Sequence, residues 1–488
     1  MPLKNMFGVN GYEWNFLEDP AAPNNRDVIF EKNMALIRNF SAVRHYMNWT
    51  KLENTPGNYT YNPTYNGSWN YDLIYTRCKQ DSILVLADLK NLPVWMMETY
   101  PSGEQDDENV PAPYSSDRSK PSSYLVQAKM AFQFAARYGY NKNVNQALVK
   151  ADQRPRWKND RINEVKIGMG LISYIECNNE LDRWWKSDKA TQTAEEYAAN
   201  LSAFYDGHKG TMGANAGVKT ADPKMLVVMG GLATADAGYV QRMIDWCKVH
   251  RGYKPDGKVN LCFDVINYHL YANDGNILKH TKATRGTAPE LSQAGEIADS
   301  FIKVANGIPV WVTETGYDIN PGSYQHAPSI GNKTALVTQA DWTLRSALFY
   351  IRHGIQRLFF YQLFDAFPGK AEQYATSGLA EGTKRRPAAD YIMQADKLMG
   401  NYLYKGTINA DPLIDKFQLG NKRMYVLTVP DETGRTAKYL LDLGKAKHAV
   451  VHTLKTGADA MDKKVVATVG GKLKITVTET PVFVEAAD

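Results

Sequence analysis

The sequence predicts an α/β protein, a (β/α)8 barrel followed by an antiparallel β-sandwich, and two patterns in its 488 residues lead to this prediction. Eight short apolar or β-branched runs alternate with helical patterns up to about residue 400, as in a parallel sheet with crossover helices. Eight repeats favour a closed barrel over an open sheet. After residue 398 the pattern changes to short alternating segments with glycines at the turns. We therefore divide the chain into a barrel, residues 1–398, and a sandwich, residues 399–488.

The predicted barrel strands are residues 6–11, 42–46, 83–88, 167–177, 225–230, 262–268, 309–315 and 358–363. The helical patterns between them include residues 27–38, 124–137, 194–205, 239–249, 294–306 and 337–353. The predicted sandwich strands are residues 417–419, 423–430, 438–442, 449–453, 464–469 and 472–485. Residues 100–123, rich in Pro, Ser, Asp and Glu, predict a polar loop that either overhangs the face carrying the site or is a surface excursion without a role.

Composition restricts the classes of partner. The chain is 44% hydrophobic and 22% charged, and no apolar run approaches the ~18 residues of a membrane span. The net charge of +5 is spread without a basic run, which argues against nucleic acid and is compatible with a neutral or an acidic ligand. The four cysteines lie far apart, so we expect buried thiols and not a zinc or redox pair: Cys78, Cys177, Cys247 and Cys262.

Two carboxylates stand at the ends of predicted strands. Strand four reads Ile-Ser-Tyr-Ile-Glu-Cys-Asn-Asn-Glu and ends at Glu180, and strand seven, Pro-Val-Trp-Val-Thr-Glu-Thr-Gly, carries Glu314. Barrel enzymes draw their catalytic groups from the carboxyl ends of the strands. Glycoside hydrolysis needs two carboxyl groups, one to protonate the leaving oxygen and one to attack the anomeric carbon or activate water. The pair therefore predicts this chemistry.

At these motifs the chain resembles the clan A glycoside hydrolases, which place Asn-Glu after strand four and a nucleophilic Glu at strand seven. The resemblance implies that Glu180 is the acid/base, that Glu314 is the nucleophile and that Asn179 holds the sugar 2-hydroxyl. It further implies that His269 and Tyr271, in Asn-Tyr-His-Leu-Tyr on strand six, flank the nucleophile. Residues 41–61 and the C-terminal sandwich resemble family 39 and its relatives.

Further residues are assigned to substrate binding. On strand two, Arg44 is similar to the clan's arginine that supports the nucleophile, and its neighbour His45 is either a site residue or a structural histidine. Tyr361 takes the sugar-platform position at the end of strand eight, where the clan commonly has Trp. Trp311 and Trp184 are also assigned to the site. Other aromatic residues are candidate platforms, with packing as the alternative for each: Trp14, Trp49, Trp95, Trp185 and Tyr317.

Glu176 competes with Glu180, because strand alternation puts both on one face. We favour Glu180, since it alone follows an Asn and Glu176 is deeper in the strand, where a carboxylate supports its neighbours. One departure from the clan is that Leu181, and not Pro, follows the Asn-Glu pair.

The sequence thus predicts a retaining hydrolase that cleaves β-glycosidic bonds in a polysaccharide or oligosaccharide. Two alternatives stay open: a non-catalytic glycan-binding barrel and a metal-assisted hydrolase on the same scaffold. The chain has no P-loop and no G-x-G-x-x-G after a strand, so we predict no cofactor and no metal. Residues 1–4 show no apolar signal region, and from the chemistry alone we expect a secreted or periplasmic protein.

Overall fold

Eight parallel strands form the central sheet of the computed structural model, which describes residues 1–276 and 281–487. The strands are β1 (Gly8–Gly11), β2 (Ala42–Asn48), β3 (Leu84–Lys90), β4 (Tyr174–Cys177), β5 (Leu226–Met229), β6 (Ile266–His269), β7 (Val310–Thr315) and β8 (Arg357–Phe360). They pair in the order β5-β4-β3-β2-β1-β8-β7-β6. Parallel bridges from Val228 to Val265 and from Leu232 to Tyr268 join the two ends. The predicted (β/α)8 barrel is confirmed.

Helices cover the outside of the barrel. They are α1 (Glu13–Leu17), α2 (Glu31–Ile37), α3 (Trp49–Leu52), α4 (Tyr71–Gln80), α5 (Val94–Met97), α6 (Leu125–Tyr138), α7 (Ala194–Asp206), α8 (Val218–Ala221), α9 (Ala237–His250), α10 (Ala294–Ala305), α11 (Ala335–Arg352) and α12 (Pro387–Met399). Local sequence fixes their ends. A capping box of Thr193 and Glu196 starts α7, and Gly207, with a left-handed φ of 61°, ends it. No helix in the described ranges has the length and apolarity needed to cross a bilayer.

Side chains that point into the barrel lie in layers, because alternate residues of each strand face inward. The lowest layer is apolar and includes Ala42, Leu86, Val228, Trp311 and Phe359. The layer above it, nearer the carboxyl ends of the strands, is polar and contains Asn10, Arg44, Asp88, Glu176, Asn267 and Thr313, all fully buried. The apolar layer thus supports a polar floor at the end of the barrel where sites are built.

The predicted fourth strand is longer than the observed one. Residues 167–173 are not part of β4, which begins at Tyr174. Gly168 and Gly170 have φ values of 62° and 66°, in the left-handed region that interrupts an extended strand. The predicted stretch therefore contains a turning segment that leads into a four-residue strand.

The C-terminal region is the predicted antiparallel sandwich. After a short hairpin of β9 (Ala380–Glu381) and β10 (Lys384–Arg385) come β11 (Leu403–Ala410), β12 (Leu413–Leu419), β13 (Lys422–Thr428), β14 (Ala437–Asp442), β15 (His448–Thr453), β16 (Asp462–Ala467), β17 (Lys472–Val477) and β18 (Val482–Ala487). A six-stranded sheet, β11-β12-β13-β18-β15-β16, faces the β14–β17 pair across an apolar core. The predicted strand 472–485 is two strands, β17 and β18. The boundary at residues 398/399 stays a prediction; it falls at the end of α12.

Polar contacts fix the sandwich against the barrel. Glu432 of the sandwich accepts hydrogen bonds from Arg285 Nη2 at 2.7 Å, from Thr287 Oγ1 at 2.7 Å and from the Ala288 backbone N–H at 2.9 Å. All three donors lie in the segment that follows β6. The sandwich therefore holds part of a loop at the carboxyl end of the barrel.

Candidate active site

A pocket of about 640 Å³ opens at the carboxyl ends of the barrel strands. Polar and aromatic side chains make up most of its wall. The residues that line it are Tyr12, Tyr46, Lys90, Asn179, Glu180, Trp185, Ala233, His269, Leu270, Tyr271, Asn273, Glu314, Tyr361, Gln373 and Tyr374. Its position matches that of active sites in other barrels of this type.

Glu180 stands just beyond β4 in an unusual backbone conformation. Asn178 and Glu180 have φ values of 64° and 53°, which non-glycine residues rarely adopt. The backbone N–H of Glu180 donates to Gly231 O at 3.0 Å, and this bond holds the turn. The Glu180 side chain is 24% exposed, and its Oε1 lies 2.8 Å from His269 Nδ1. The turn therefore directs this carboxylate into the pocket.

Glu314 lies in β7 where the strand is irregular. Between Val312 and Thr315 the pairing of β7 with β8 shifts register, and Thr313 and Glu314 both make contacts at the site. The Glu314 side chain is 9% exposed. Its Oε1 accepts a hydrogen bond from Arg44 Nη1 at 2.8 Å and one from the Tyr46 hydroxyl, and its Oε2 accepts one from the Tyr271 hydroxyl at 2.9 Å.

These contacts set the protonation of Glu314. Burial alone would raise the pKa of Glu314, but the cations His269 and Arg44 and the hydrogen bonds from Tyr46 and Tyr271 outweigh burial and hold the pKa well below its ordinary value. His269 shows the reverse: burial lowers its pKa, but the carboxylates Glu314 and Glu180 prevail and raise it. A protonated His269 donates from both ring nitrogens, from Nδ1 to Glu180 and from Nε2 to Thr313 Oγ1 at 3.0 Å.

Arg44 is the centre of the polar floor. Its Nε and Nη2 donate to the two carboxylate oxygens of Glu176 at 2.7 and 2.9 Å, a bidentate pair. Its Nη2 also donates to Asn179 Oδ1 at 2.8 Å and to Asp88 Oδ2 at 3.1 Å. Burial, in spite of Arg44, raises the pKa of Asp88. Glu176 thus lies beneath the pocket as a support for Arg44, which is the role that its depth in the strand predicts.

Asn179 is oriented by the same guanidinium. Its carbonyl oxygen faces Arg44 Nη2, so its amide nitrogen is directed away from this donor, and the residue lines the pocket. An amide N–H₂ in this position is a donor for a hydroxyl group of a ligand.

Three side chains could together be considered as metal ligands. One atom each of Glu180, His269 and Glu314 lies within 4.8 Å of the others. The donor set does not suit a cation, however. His269 must lose its proton to coordinate a metal, and the Arg44 charge already lies 2.8 Å from Glu314. The raised pKa of His269 and the Arg44 charge therefore both disfavour a metal ion at these three side chains.

The structure brings most of the predicted site residues together. Asn179, Glu180, His269, Tyr271, Glu314 and Tyr361 line the pocket, and Arg44 lies directly beneath it. Tyr361 forms part of the wall where the clan commonly has Trp, and its hydroxyl lies 3.3 Å from that of Tyr12.

Three predicted residues lie elsewhere. His45 points out of the barrel toward α4, where its Nδ1 is 2.9 Å from the Tyr75 hydroxyl, because alternation turns it away from its neighbour Arg44. Trp311 is buried in the apolar layer, with its ring 5.0 Å from that of Tyr174, since it stands near the start of β7. Trp184 is 74% exposed and does not line the pocket.

Sequence reasoning missed several residues of the wall. Tyr46 and Lys90 follow Arg44 and Asp88 by two positions on their strands, so alternation could have placed both on the inward face. Of the candidate aromatic platforms, Trp185 lines the pocket, and Trp14 stacks on the pocket residue Tyr12 with ring centroids 4.4 Å apart. No sequence signal identifies Gln373 and Tyr374, which come from an irregular segment after β8.

The predicted loop of residues 100–123 packs against the segment that carries Trp185. Val110 N donates to Lys189 O at 2.8 Å, and Arg118 Nη1 donates to Asp188 O at 2.7 Å. Within the described residues this loop does not line the pocket. It supports the loop that follows β4.

The sequence matches no protein-family model and no curated protein. Its structure is similar to solved glycoside hydrolases over almost the whole chain. A family 39 glycoside hydrolase from the gut symbiont Bacteroides cellulosilyticus WH2 aligns with 99% of this chain and 82% of its own, with a TM-score of 0.63 and 14% identity. The chain therefore shares its overall fold with this glycoside hydrolase.

Two further structures extend the comparison. The family 51 α-L-arabinofuranosidase AbfB from Bifidobacterium longum covers 100% of this chain and 97% of its own, with a TM-score of 0.55 and 12% identity. A GH30 endoxylanase from Clostridium papyrosolvens C71 aligns with 99% of this chain and 96% of its own, with a TM-score of 0.53 and 14% identity. The resemblance that the motifs indicated is confirmed at the level of the fold.

Proposed function

We propose that this protein is a retaining glycoside hydrolase that cleaves β-glycosidic bonds, with Glu180 as acid/base and Glu314 as nucleophile. One observation carries the proposal: a carboxylate oxygen of Glu180 and one of Glu314 lie within 4.8 Å of each other across the pocket. Retaining enzymes place the two groups ~5–5.5 Å apart, whereas inverting enzymes leave ~6.5–9.5 Å for a water molecule. The short separation supports direct attack by one carboxylate.

In the first step Glu314 attacks the anomeric carbon. A bond forms between its carboxylate oxygen and that carbon as the bond to the leaving oxygen breaks, and the sugar becomes esterified to the enzyme. The low pKa of Glu314 keeps it ionised and ready to attack. Its contacts with Arg44, Tyr46 and Tyr271 also hold the carboxylate in one orientation.

Glu180 moves the proton in both steps. It gives its proton to the leaving oxygen in the first step. In the second step it takes a proton from water while the water oxygen bonds to the anomeric carbon and the bond from that carbon to Glu314 breaks, so the enzyme returns to its starting state. The His269 Nδ1–H, 2.8 Å from Glu180 Oε1, stabilises the carboxylate that exists between the two steps. Asn179 is directed to bind a hydroxyl of the sugar seated on Glu314, and Tyr361 and Trp185 offer flat surfaces for sugar rings.

Product stereochemistry and matched variants test this proposal. Proton NMR of the first product released from a β-linked aryl glycoside or oligosaccharide should show the β-anomer. Glu314→Ala should abolish turnover. Glu180→Gln should lower kcat by about 10²–10⁴-fold on substrates with poor leaving groups and far less on dinitrophenyl glycosides, whose departure needs no proton. The control is Glu381→Gln, which changes a carboxylate that is 79% exposed on β9.

Other results would select a different function. An α-anomer as the first product would mean inversion, and full activity of Glu314→Ala would remove the nucleophile assignment. Binding of glycans by the wild type without any hydrolysis would identify a non-catalytic glycan-binding barrel. We also propose that the protein acts in the periplasm or outside the cell, because its substrate would be a polymer; fractionation of the native host, with activity found only in the cytoplasm, would contradict this.

A further inference from the structure

Lys90 is a cation in the wall of the pocket, and within the described part of the chain it makes no ion pair. It is the last residue of β3 and faces inward with Asp88, two residues before it. Its Nζ lies 4.7 Å from the ring centroid of Tyr46. Within the described residues, no carboxylate oxygen lies within 4.0 Å of this nitrogen. The other basic residue of the wall, His269, is in contact with Glu180.

Two acidic residues near Lys90, Asp88 and Glu108, contact other cations. Asp88 contacts Arg44 at 3.1 Å. Glu108, from the loop of residues 100–123, contacts Arg183 at 2.9 Å through one oxygen and Lys186 at 2.6 Å through the other. Neither of these carboxylates lies within 4.0 Å of Lys90 Nζ, and Lys90 lines the pocket, so its charge is open to a ligand there.

An ammonium group that is partly removed from water gains free energy from an anion that completes its hydrogen bonds. The face of the Tyr46 ring supplies only part of this stabilisation. The Tyr46 hydroxyl donates a hydrogen bond to Glu314, so the ring of Tyr46 contacts Lys90 on its face and the nucleophile through its hydroxyl. A group bound to Lys90 would therefore belong to the sugar unit that contacts Glu314.

We propose that Lys90 selects glycans with an anionic substituent, a carboxylate or a sulfate, on the sugar unit seated against Glu314. This inference rests on the proposed function only in so far as the pocket binds a glycan. A neutral sugar would offer hydroxyl groups alone, which form weaker hydrogen bonds with an ammonium group than an anion does.

Matched polymers test the inference and distinguish the two anions. One pair is a β-linked polyuronate and the same polymer after its carboxyl groups have been reduced to hydroxymethyl groups. The other pair is a sulfated β-galactan and its chemically desulfated form. Initial rates of reducing-end release give kcat/KM for each polymer. Retardation in native affinity gels, with Glu314→Gln as background so that the polymer is not consumed, gives binding without turnover.

The anionic member of one pair should be preferred by about 10- to 100-fold, the value of one charge-assisted hydrogen bond. Lys90→Met, which keeps the aliphatic stem, should remove that preference in both readouts. Lys422→Met is the control: it makes the same change of net charge at an exposed lysine of the sandwich and should leave the preference as it is. High salt should weaken the retardation of the protein that retains Lys90, until it approaches the retardation of Lys90→Met.

Each result decides one of the two proposals. The Lys90 inference is overturned if Lys90→Met and the protein with Lys90 intact show the same preference for the anionic over the neutral polymer. It is also overturned if no anionic polymer retards the protein with Lys90 intact. If an anionic polymer retards the protein in a Lys90-dependent way but the protein with Glu314 intact does not hydrolyse that polymer, the inference is supported and the proposed catalytic function is overturned. The pair that shows the effect identifies the substituent as carboxylate or sulfate.

Discussion

Replacing Tyr46 with Phe tests how the site keeps its nucleophile ionised. The Tyr46 hydroxyl donates to Glu314 Oε1, the same oxygen that accepts from Arg44. Tyr46→Phe removes this donor and leaves the ring in place. Without it, the ionised form of Glu314 loses one hydrogen bond, whereas the protonated form loses little, so the pKa of Glu314 should rise.

The expected size follows from the strength of the lost bond. A hydrogen bond to a charged group contributes about 1.5–3 kcal/mol, and 1.36 kcal/mol corresponds to one pH unit, so the pKa of Glu314 should rise by about 1 to 2 pH units. In the wild type, Glu314 must be ionised to act and its pKa is lowered, so activity should persist as the pH falls through the ordinary carboxylate range near ~4.3. In Tyr46→Phe a rise of about 1 to 2 pH units from a pKa of about 2 should move the acidic limb up toward that range.

The assay is the pH dependence of kcat/KM for an aryl β-glycoside, because this ratio reports the ionisations of the free enzyme. Aliquots returned to neutral pH must recover full activity, which separates titration from acid unfolding. Tyr12→Phe is the control, since the Tyr12 hydroxyl faces Tyr361 and does not contact Glu314; its acidic limb should stay in place. An unchanged limb in Tyr46→Phe, or one that moves to lower pH, would refute the assignment of Glu314 as the ionised nucleophile held by this hydroxyl.

Further predictions use the same purified protein. Trp185→Ala should raise KM by about 3- to 10-fold through the loss of an aromatic surface in the pocket, while the same change at the exposed Trp184 should have a smaller effect in steady-state kinetics. His269→Gln should lower kcat and move the acidic limb to higher pH, because it removes one of the two cations, His269 and Arg44, that lower the pKa of Glu314. An unchanged pH profile of kcat/KM would argue against this role. Arg44→Met should destabilise the fold by about 3–5 kcal/mol, measured by denaturant unfolding, because Glu176 remains buried without its partner; a stability equal to the wild type would contradict it. Prolonged chelation should leave activity intact, whereas loss of activity and its recovery with a divalent metal would favour the metal-assisted alternative.

The barrel could be predicted from sequence because its repeats are strong local signals. Each predicted strand overlaps an observed one, and the six long helical patterns overlap α2, α6, α7, α9, α10 and α11. The sandwich was harder, because β11 has no buried residue, exposes Thr407 and Ile408 in succession and carries two bulges against β12, which weaken the pattern. Its residues 403–410 were not among the predicted strands for this reason.

The site was predictable where motif and alternation agree. Glu314 and Tyr271 come together because strands six and seven are neighbours, and Arg44 reaches them from β2 because it faces inward. The assignment of His45 to the site was wrong because it relied on adjacency to Arg44 in the sequence. In a strand, adjacent side chains face opposite ways, so the residue that shares the inward face with Arg44 is Tyr46. The bulge that brings Thr313 and Glu314 to the site together depends on pairing between strands, which no single-strand pattern encodes.

Through Glu432, the C-terminal sheets help to position one wall of the pocket. The segment that this carboxylate holds, Arg285 to Ala288, belongs to the connection that also carries Tyr271 and Asn273 into the pocket. A graft that exchanges the sandwich for another module would have to supply an acceptor at the same point. Without that acceptor, the segment beside the nucleophile would lose its hydrogen bonds to the sandwich. Replacement of the sandwich, more than a hundred residues away along the chain, would then change substrate preference.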